Sequence, residues 1–438
     1  MILGIGFDDP LLVGLIGVGA MLFMVALGVR VVFAAAVVGL LGLVELNGWA
    51  AGAGIAGTVP HSKSSTYALS VLPMFILIGF LAFHAGMTQQ LFDAARKWIG
   101  WVPGGLAVAT IFATAGFAAV SGASTATAAV FARVAIPDML KYGYDKRLAA
   151  GVVAAGGTLA TLIPPSAILV IYAIIVEESV GALLLAGFLP GAVSALIYAL
   201  IIIIWAKLNP ELGPAVGGYT WKERFASLPG VSPIFFVVLI IMSAIYNGWA
   251  TPTEAGALGA FVVLLLAFKR KMKLKTFKEA LMETAKLTVM IFSLIWGVLI
   301  FVRFLGFSGL PEAFTELVLS IDAPPIIIMI CILIAYAILG MFMDAIGMLL
   351  LTLPVVHPAV IALGFDSIWF GIIVVKMAEV CLITPPIGLN CFVVNGVRPD
   401  IALGDVFRGI TLFFIADVIT IGVLLAFPEI VTWLPSLM

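Results

Sequence analysis

The chain has 438 residues, of which 63% are hydrophobic and 10% are charged, and its formal net charge is −1. The mean hydropathy is +1.25. These values exclude a water-soluble domain, and the apolar runs repeatedly reach the length of about 20 residues that spans a bilayer. The composition therefore predicts an all-α polytopic membrane protein whose partner over most of its surface is the lipid bilayer. The net charge indicates no other partner.

The apolar runs predict a series of spans in chain order. These lie at about 10–29, 31–47, 69–86, 103–120, 124–141, 146–176, 180–207, 231–247, 253–268, 281–305, 324–341, 345–363, 367–397 and 405–427. Two short amphipathic pieces, 88–98 and 308–320, lack the apolar length to cross and are predicted to lie along the membrane interface.

Basic residues are distributed unevenly between the loops. With the N-terminus outside, most lysines and arginines fall on the inner side, including the run from Lys269 to Lys275, whereas Lys63 and Arg303 fall outside. This asymmetry follows the positive-inside rule and predicts an external N-terminus and a cytoplasmic loop 269–278. Arg303 lies near a helix end, and we expect its side chain to reach the interface.

Residues that break or turn a chain recur at a spacing of 221 positions. Pro103 corresponds to Pro324, Pro137 to Pro358, Gly143 to Gly364, Asp145 to Asp366, and Pro164-Pro165 to Pro385-Pro386. The repeat therefore conserves backbone geometry rather than side-chain chemistry. With the orientation above, Gly143 faces the cytoplasm and Gly364 faces out, so the sequence predicts two inverted halves, a pattern typical of alternating-access transporters.

The paired prolines predict a break within each of two long spans. The segment 146–176 exceeds the length a span requires, and its prolines remove backbone donors, so carbonyls near Ala160, Thr161 and Ile163 are expected to lose their helical partners and face a cation. The second half repeats this at Cys381, Leu382, Thr384 and Pro385-Pro386. Alternatively, each proline pair is a kink whose freed groups a neighbouring helix satisfies.

Small polar residues occupy two predicted hairpin tips. The first is Ser121–Thr127, and the second is Gly340–Gly347 with Asp344 in an apolar stretch. Re-entrant hairpins would present amides and hydroxyls to a ligand at these tips. Two full spans packed through small residues are the alternative. Asp344 is a functional candidate because ionisable residues within membranes are rare.

Other polar residues give weaker signals. Lys376 and Glu379 are spaced to pair on one helix, either as a structural ion pair or as part of a functional site. Three histidines (His61, His84 and His357) and three cysteines (Cys331, Cys381 and Cys391) show no ligand or disulfide spacing. No hydrolase or ATP-binding motif is present, so the sequence does not predict an enzyme.

Four stretches together resemble the large membrane subunit of tripartite ATP-independent periplasmic (TRAP) transporters. They are Ser121–Thr127, Gly157–Ser166, Thr251–Gly256 and Ile383–Asn390. The resemblance covers nearly the whole chain. It implies an elevator-type ion transporter fold with an inverted repeat, two re-entrant helical hairpins and two discontinuous helices.

The same resemblance implies a function. It is sodium-coupled import of an organic anion, a carboxylate such as a C4-dicarboxylate, sialic acid or a related sugar acid, across the bacterial inner membrane. The implied partners are a small membrane subunit and a periplasmic substrate-binding protein. The binding protein is expected largely to select the anion. Na⁺ is the implied coupling ion.

The resemblance also implies site residues. One sodium site would use Ser121 with carbonyls around Ala160, Ile163 and Pro165, and the other would use Gly340 with Cys381, Thr384 and Ile387. Substrate would lie near Ser124, Thr125, Thr127, Asp344 and Asn390. Family members often have glycine at the positions of Ala160 and Cys381. The proposed ligand there is the backbone carbonyl, which alanine and cysteine also provide.

The predicted organisation alternates scaffold and transport segments. Scaffold helices cover 1–68 and 180–268, spans with interfacial arm helices cover 69–102 and 281–323, transport halves cover 103–176 and 324–397, and a final span covers 405–438. Two other function classes share some of these features. A self-sufficient sodium/dicarboxylate symporter would need no binding protein, and a non-transporting membrane scaffold would need neither polar tips nor paired breaks.

Overall fold

The computed structural model describes residues 9–64 and 66–438, and this part of the chain is helical without strands. The helices are α1 Pro10–Ala26, α2 Val31–Asn47, α3 Trp49–Ser64, α4 Val71–His84, α5 Met87–Ile99, α6 Gly105–Ser121, α7 Ser124–Lys141, α8 Lys146–Thr158, α9 Ala167–Val176, α10 Val180–Ala186, α11 Phe188–Leu208, α12 Trp221–Tyr246, α13 Pro252–Lys269, α14 Leu274–Ser308, α15 Leu310–Leu319, α16 Pro325–Gly340, α17 Ala345–Ala362, α18 Ser367–Ile383, α19 Leu389–Val397, α20 Leu403–Ala426 and α21 Glu429–Thr432. Within the described residues, seven helices are long and apolar enough to cross a membrane. The prediction of a multi-pass helical protein is confirmed.

Most helices coincide with a predicted span to within a few residues, but α3 was missed and α12 begins ten residues early. No span was predicted for α3, in which Gly52 lets the helix backbone approach α2, since a Cβ there would lie 2.6 Å from the Val44 nitrogen. In α12 the start is set by a capping box. The Thr220 hydroxyl accepts from the Glu223 amide at 3.3 Å, and the Glu223 carboxylate accepts from the Thr220 amide at 2.7 Å.

The turns at Gly143 and Gly364 are built in the same way. Gly143 has φ 81° and Gly364 has φ 89°, a region that favours glycine. Two residues later an aspartate caps the next helix: Asp145 accepts from the Arg147 amide at 2.7 Å and Asp366 from the Trp369 amide at 2.7 Å. The recurring glycine and aspartate therefore perform the same backbone task in both places.

Helices α6–α9 and α16–α19 form two sets with matching bounds. For example, α7 and α17 each have 18 residues and begin at Ser124 and Ala345, which are 221 positions apart. The Pro164-Pro165 and Pro385-Pro386 bonds are both cis and lie between the last two helices of their set. Each set thus consists of a hairpin followed by an interrupted helix.

Small residues allow close packing around these sets. A Cβ on Gly151 of α8 would lie 2.5 Å from the Gly409 carbonyl carbon of α20, and a Cβ on Gly39 of α2 would lie 2.6 Å from the Phe301 nitrogen of α14. Such contacts are typical of membrane helix interfaces, where small residues let backbones approach. They hold α20 against the first set and α2 against the long helix α14.

Candidate ion and substrate site

The first hairpin turns at Ser121–Ser124, between α6 and α7. Gly122 has φ +58°, and a Cβ there would lie 2.6 Å from the Pro165 carbonyl oxygen, so the tip rests directly on the first break. The Ser121 and Thr127 hydroxyls lie 2.9 Å apart, and Thr127 also donates to the Ala123 carbonyl at 2.9 Å. The tip is therefore ordered by its own hydroxyl groups, and two predicted site residues lie in contact.

The first break extends from the end of α8 at Thr158 to the start of α9. Leu159–Thr161 forms a 3₁₀ turn, and the Ile163 amide donates to the Leu159 carbonyl at 2.9 Å. The sequence predicted that the Thr161 carbonyl would be free to face a cation. This prediction is wrong, because the Ser166 hydroxyl donates to that carbonyl. Ser166 is also the N-cap of α9, so a side chain replaces the helical donor there. The predicted ligands Ala160, Ile163 and Pro165 are buried in this break.

The second tip rests on the second break in a similar way. Helix α16 ends at Gly340, where a Cβ would lie only 1.5 Å from the Cys381 sulfur. Helix α18 ends at Ile383, and the Thr384 hydroxyl donates to the Val380 carbonyl at 2.6 Å. That hydroxyl keeps its lone pairs for another partner. Ile387, the last residue predicted for this site, is 38% exposed.

The two sets meet between these tips. Asn390 of α19 donates from its side-chain nitrogen to the Ser124 hydroxyl at 2.9 Å and to the Ala154 carbonyl at 3.0 Å. The structure thus brings together two residues predicted to bind substrate from positions 266 apart in the chain. Asp344 instead caps α17 and accepts from the Gly347 amide at 3.0 Å. Thr125 is half-buried at the first tip.

A buried charged cluster joins helices α11, α18 and α20. The Lys376 ammonium lies 2.5 Å from Glu379, 2.8 Å from Asp417 and 2.7 Å from the Ser194 hydroxyl. Tyr198 donates to Asp417 at 2.6 Å. The sequence indicated the Lys376–Glu379 pair, but Asp417 and its partners on α11 were missed. A lone aspartate in the apolar run of α20 was the available signal.

Two cavities flank the hairpins. One, of about 170 Å³, lies between the first tip and helices α4 and α14 and is lined by Phe80, Ser121, Ala126, Arg133 and Glu283, among others. The other, of about 620 Å³, lies between α9, α14 and α17. Its mostly aliphatic wall also contains Arg303 and His357. Both cavities separate helices of the two sets from α14.

Sequence comparison identifies the protein class. The family model for the DctM component of tripartite ATP-independent periplasmic transporters matches residues 16–430. The chain belongs to this TRAP transporter family. It is similar to the C4-dicarboxylate TRAP transporter large permease proteins DctM of Pseudomonas aeruginosa (36% identical, covering 85% of this chain and 86% of the relative) and Vibrio cholerae (34% identical, covering 88% and 89%).

The substrates of TRAP relatives differ. The ectoine TRAP transporter large permease protein TeaC of Halomonas elongata is 32% identical and covers 84% of this chain and 86% of its own. The TRAP fold is also similar to a crystal structure of the Alcanivorax borkumensis YdaH transporter, with TM-score 0.56 and 14% identity over 85% of this chain and 87% of that one. As a member of this family, the chain is the large permease subunit of a TRAP transporter and a multi-pass membrane protein.

Proposed function

We propose that this subunit imports a carboxylate-bearing organic anion, such as a C4-dicarboxylate, sialic acid or a related sugar acid, and that the sodium gradient drives the import. A periplasmic binding protein delivers the anion, and a small membrane subunit completes the transporter in the bacterial inner membrane. The observation that carries this proposal is that each polar tip lies against a broken helix, at Gly122–Pro165 and at Gly340–Cys381. Broken helices at facing tips are typical of ion and substrate sites in secondary transporters.

Sodium ions are bound at two sites and transported together with the anion. The first consists of Ser121 with the carbonyls of Ala160, Ile163 and Pro165, and the second of Gly340, Cys381, Thr384 and Ile387. Each set offers oxygen atoms from backbone freed by a proline pair, and hydroxyl or carbonyl oxygens can replace the hydration shell of a small cation. The Ser121–Thr127 bond of 2.9 Å holds one hydroxyl at the edge of the first site.

The anion lies between the tips, near Ser124, Thr125, Thr127 and Asn390, with Asp344 at the second tip. The Ser124 and Thr125 hydroxyls can donate to a carboxylate there, whereas both hydrogens of the Asn390 amide are used, on Ser124 and on the Ala154 carbonyl, so Asn390 positions the tip. Arg133 lines the cavity beside the first tip, and its guanidinium complements a carboxylate in charge and geometry. The wall beside these donors thus carries one positive group, Arg133, and one negative group, Glu283.

Movement of one unit past another provides alternating access. The mobile unit contains both hairpins and both broken helices, because bound ions must travel with their ligands. We also include α20, and we move α11 from the scaffold predicted over 180–268 into the mobile unit. Lys376 of α18 bonds Ser194 of α11 and Asp417 of α20 at full burial, and separating these helices would leave charges unpaired. The remaining spans, including α12 and α13, form the static part, and their exposed apolar side chains offer a surface to the small subunit.

Reconstitution tests this function. The subunit, alone or with a small membrane subunit and a binding protein, is placed in liposomes, and uptake of a labelled dicarboxylate or sialic acid is measured under an inward sodium gradient. We expect uptake only with the binding protein present, and none when potassium replaces sodium. Uptake by the subunit alone would identify a self-sufficient symporter, and no uptake with any tested anion together with no sodium-dependent stabilisation would indicate a scaffold.

A further inference from the structure

Three charged side chains, all fully buried, form one cluster at the junction of α11, α18 and α20. Lys376 donates to Glu379 at 2.5 Å, to Asp417 at 2.8 Å and to Ser194 at 2.7 Å, which uses all three of its hydrogens. The Lys376 nitrogen also lies 5.3 Å from the centre of the Tyr198 ring. The groups that bond the two carboxylates are therefore the Lys376 ammonium and the hydroxyls of Tyr198 and Thr161, while the Ser194 hydroxyl accepts from Lys376.

The cluster does not balance its own charge. With both carboxylates ionised, one ammonium leaves a surplus of one negative charge at zero exposure. Burying an uncompensated charge is costly, so a cluster of this composition needs either a proton on one carboxylate or another positive charge nearby. The three side chains alone are thus an incomplete set.

One carboxylate oxygen confirms that a partner is lacking. Asp417 accepts from Lys376 and Tyr198 through Oδ1, at 2.8 and 2.6 Å, whereas its buried Oδ2 has no hydrogen-bond partner among the described residues. Buried polar atoms are almost always paired, and an unpaired carboxylate oxygen is costly. The surplus charge and the unpaired oxygen are two independent observations on the same side chains.

The cluster reaches both broken helices. Glu379 accepts from the Thr161 hydroxyl at 2.8 Å, and Thr161 lies in the 3₁₀ turn of the first break, next to Ala160. Glu379 also lies on α18, two residues before Cys381 of the second break. Glu379 therefore bonds the first break directly and lies two residues from a proposed ligand of the second, and the proposed ligands of both sites are neutral oxygens.

We propose that Glu379 and Asp417, held by Lys376, are the shared counter-charge of the two cation sites. This rests on the proposed sodium coupling. Without ions the surplus charge destabilises the fold, and a monovalent cation at either break offsets it. The two carboxylates are positioning residues in this scheme, because they act on the ion through the field of the cluster and not as its ligands.

The test compares three variants of the purified full chain. Asp417→Asn keeps the shape and removes the charge, Asp417→Glu keeps the charge, and Asp405→Asn makes the same exchange at the other end of α20. Asp405 is a suitable control because it pairs with Lys146 at 2.7 Å near the helix start, away from the breaks. The melting temperature is measured against sodium at pH 8, where protons compete least, with potassium holding the ionic strength constant.

We expect Asp417→Asn to raise the half-saturating sodium concentration about tenfold or more, since removing a unit negative charge near a cation in a low-dielectric interior weakens cation binding. The same variant should melt at a higher temperature than the wild type without sodium. Asp417→Glu should restore most of the sodium response, and Asp405→Asn should match the wild type. A structural ion pair alone would lower the melting temperature and leave the sodium midpoint unchanged.

A wild-type sodium midpoint in Asp417→Asn overturns the counter-charge role while leaving sodium coupling intact. A wild type that responds equally to sodium and potassium overturns sodium coupling itself, and the counter-charge role with it. Should Asp417→Asn fail to fold, Glu379→Gln removes the other carboxylate of the cluster and has the same expected midpoint shift. An unchanged midpoint in that variant is then the contradicting result.

Discussion

The side-chain nitrogen of Asn390 lies 2.9 Å from the hydroxyl of Ser124, so the broken helix of the second half holds the tip of the first hairpin. Asn390 is fully buried, and its side-chain oxygen has no hydrogen-bond partner among the described residues. The contact therefore joins the two halves at the proposed substrate position and leaves one buried acceptor available for a donor.

Replacing Asn390 tests its contribution both to the stability of the fold and to anion uptake. Asn390→Ala leaves Ser124 and the Ala154 carbonyl without their donor, and we expect a loss of about 1–3 kcal/mol in the free energy of unfolding together with loss of anion uptake. Asn395→Ala is the matched control on the same helix, since Asn395 bonds only the Ile401 carbonyl, at 2.8 Å. Uptake at the wild-type rate by folded Asn390→Ala would remove this residue from the site.

Thr384→Val tests the side-chain oxygen at the second break. The Thr384 hydroxyl donates to the Val380 carbonyl, and its lone pairs are proposed to bind sodium. We expect valine to keep the fold and raise the sodium concentration needed for stabilisation. Thr420→Val is the control because Thr420 makes the same bond to Ala416, at 2.8 Å, within α20. Identical sodium titrations for both variants would show that the Thr384 hydroxyl is not a ligand.

Gly340→Ala tests the close contact of the second tip with its break. The new methyl carbon would lie 1.5 Å from the Cys381 sulfur, so the tip has to move away and the cation site has to open. We expect a lower melting temperature and loss of the sodium response. Gly19→Ala is the control, because among the described residues no atom outside the surrounding helix backbone lies within 4 Å of a Cβ placed there in α1, and alanine favours a helix. A normal sodium response in Gly340→Ala would place the ion elsewhere.

The sequence predicted the elements whose ends are set by residues that break or turn the backbone. Proline pairs and the glycine–aspartate turns mark breaks and helix starts through local chemistry, so α7, α8, α17 and α18 were located to within a few residues in the absence of any tertiary information. Helix α3 was missed although one of its glycines, which are weak helix formers, packs closely against α2 at Gly52. In that helix tertiary contacts outweigh local preference.

The charged cluster illustrates the opposite limit. Lys376 and Glu379 are close in sequence, and their pairing followed from helical spacing alone. Asp417 and Tyr198 are 219 positions apart, and only the packing of α11 against α20 brings them to 2.6 Å. Apolar spans carry no pattern that specifies which faces meet, so partners of this kind require the three-dimensional structure.

The last prediction concerns movement of the hairpin unit past the static helices. Phe80 of α4 and Ala126 of the first tip line the same cavity of about 170 Å³, so cysteines at these two positions should cross-link in the present state. If the unit moves along α4, Ala126 should also reach Leu72, two turns away and about 12 Å along the helix axis. Cross-linking yield of each pair and transport after cross-linking are measured with and without sodium and substrate. The elevator mechanism requires that both pairs form under some condition and that each stops transport. If only the Phe80–Ala126 pair ever forms, whatever ions and anion are supplied, a local gate at the hairpin tips is the correct mechanism.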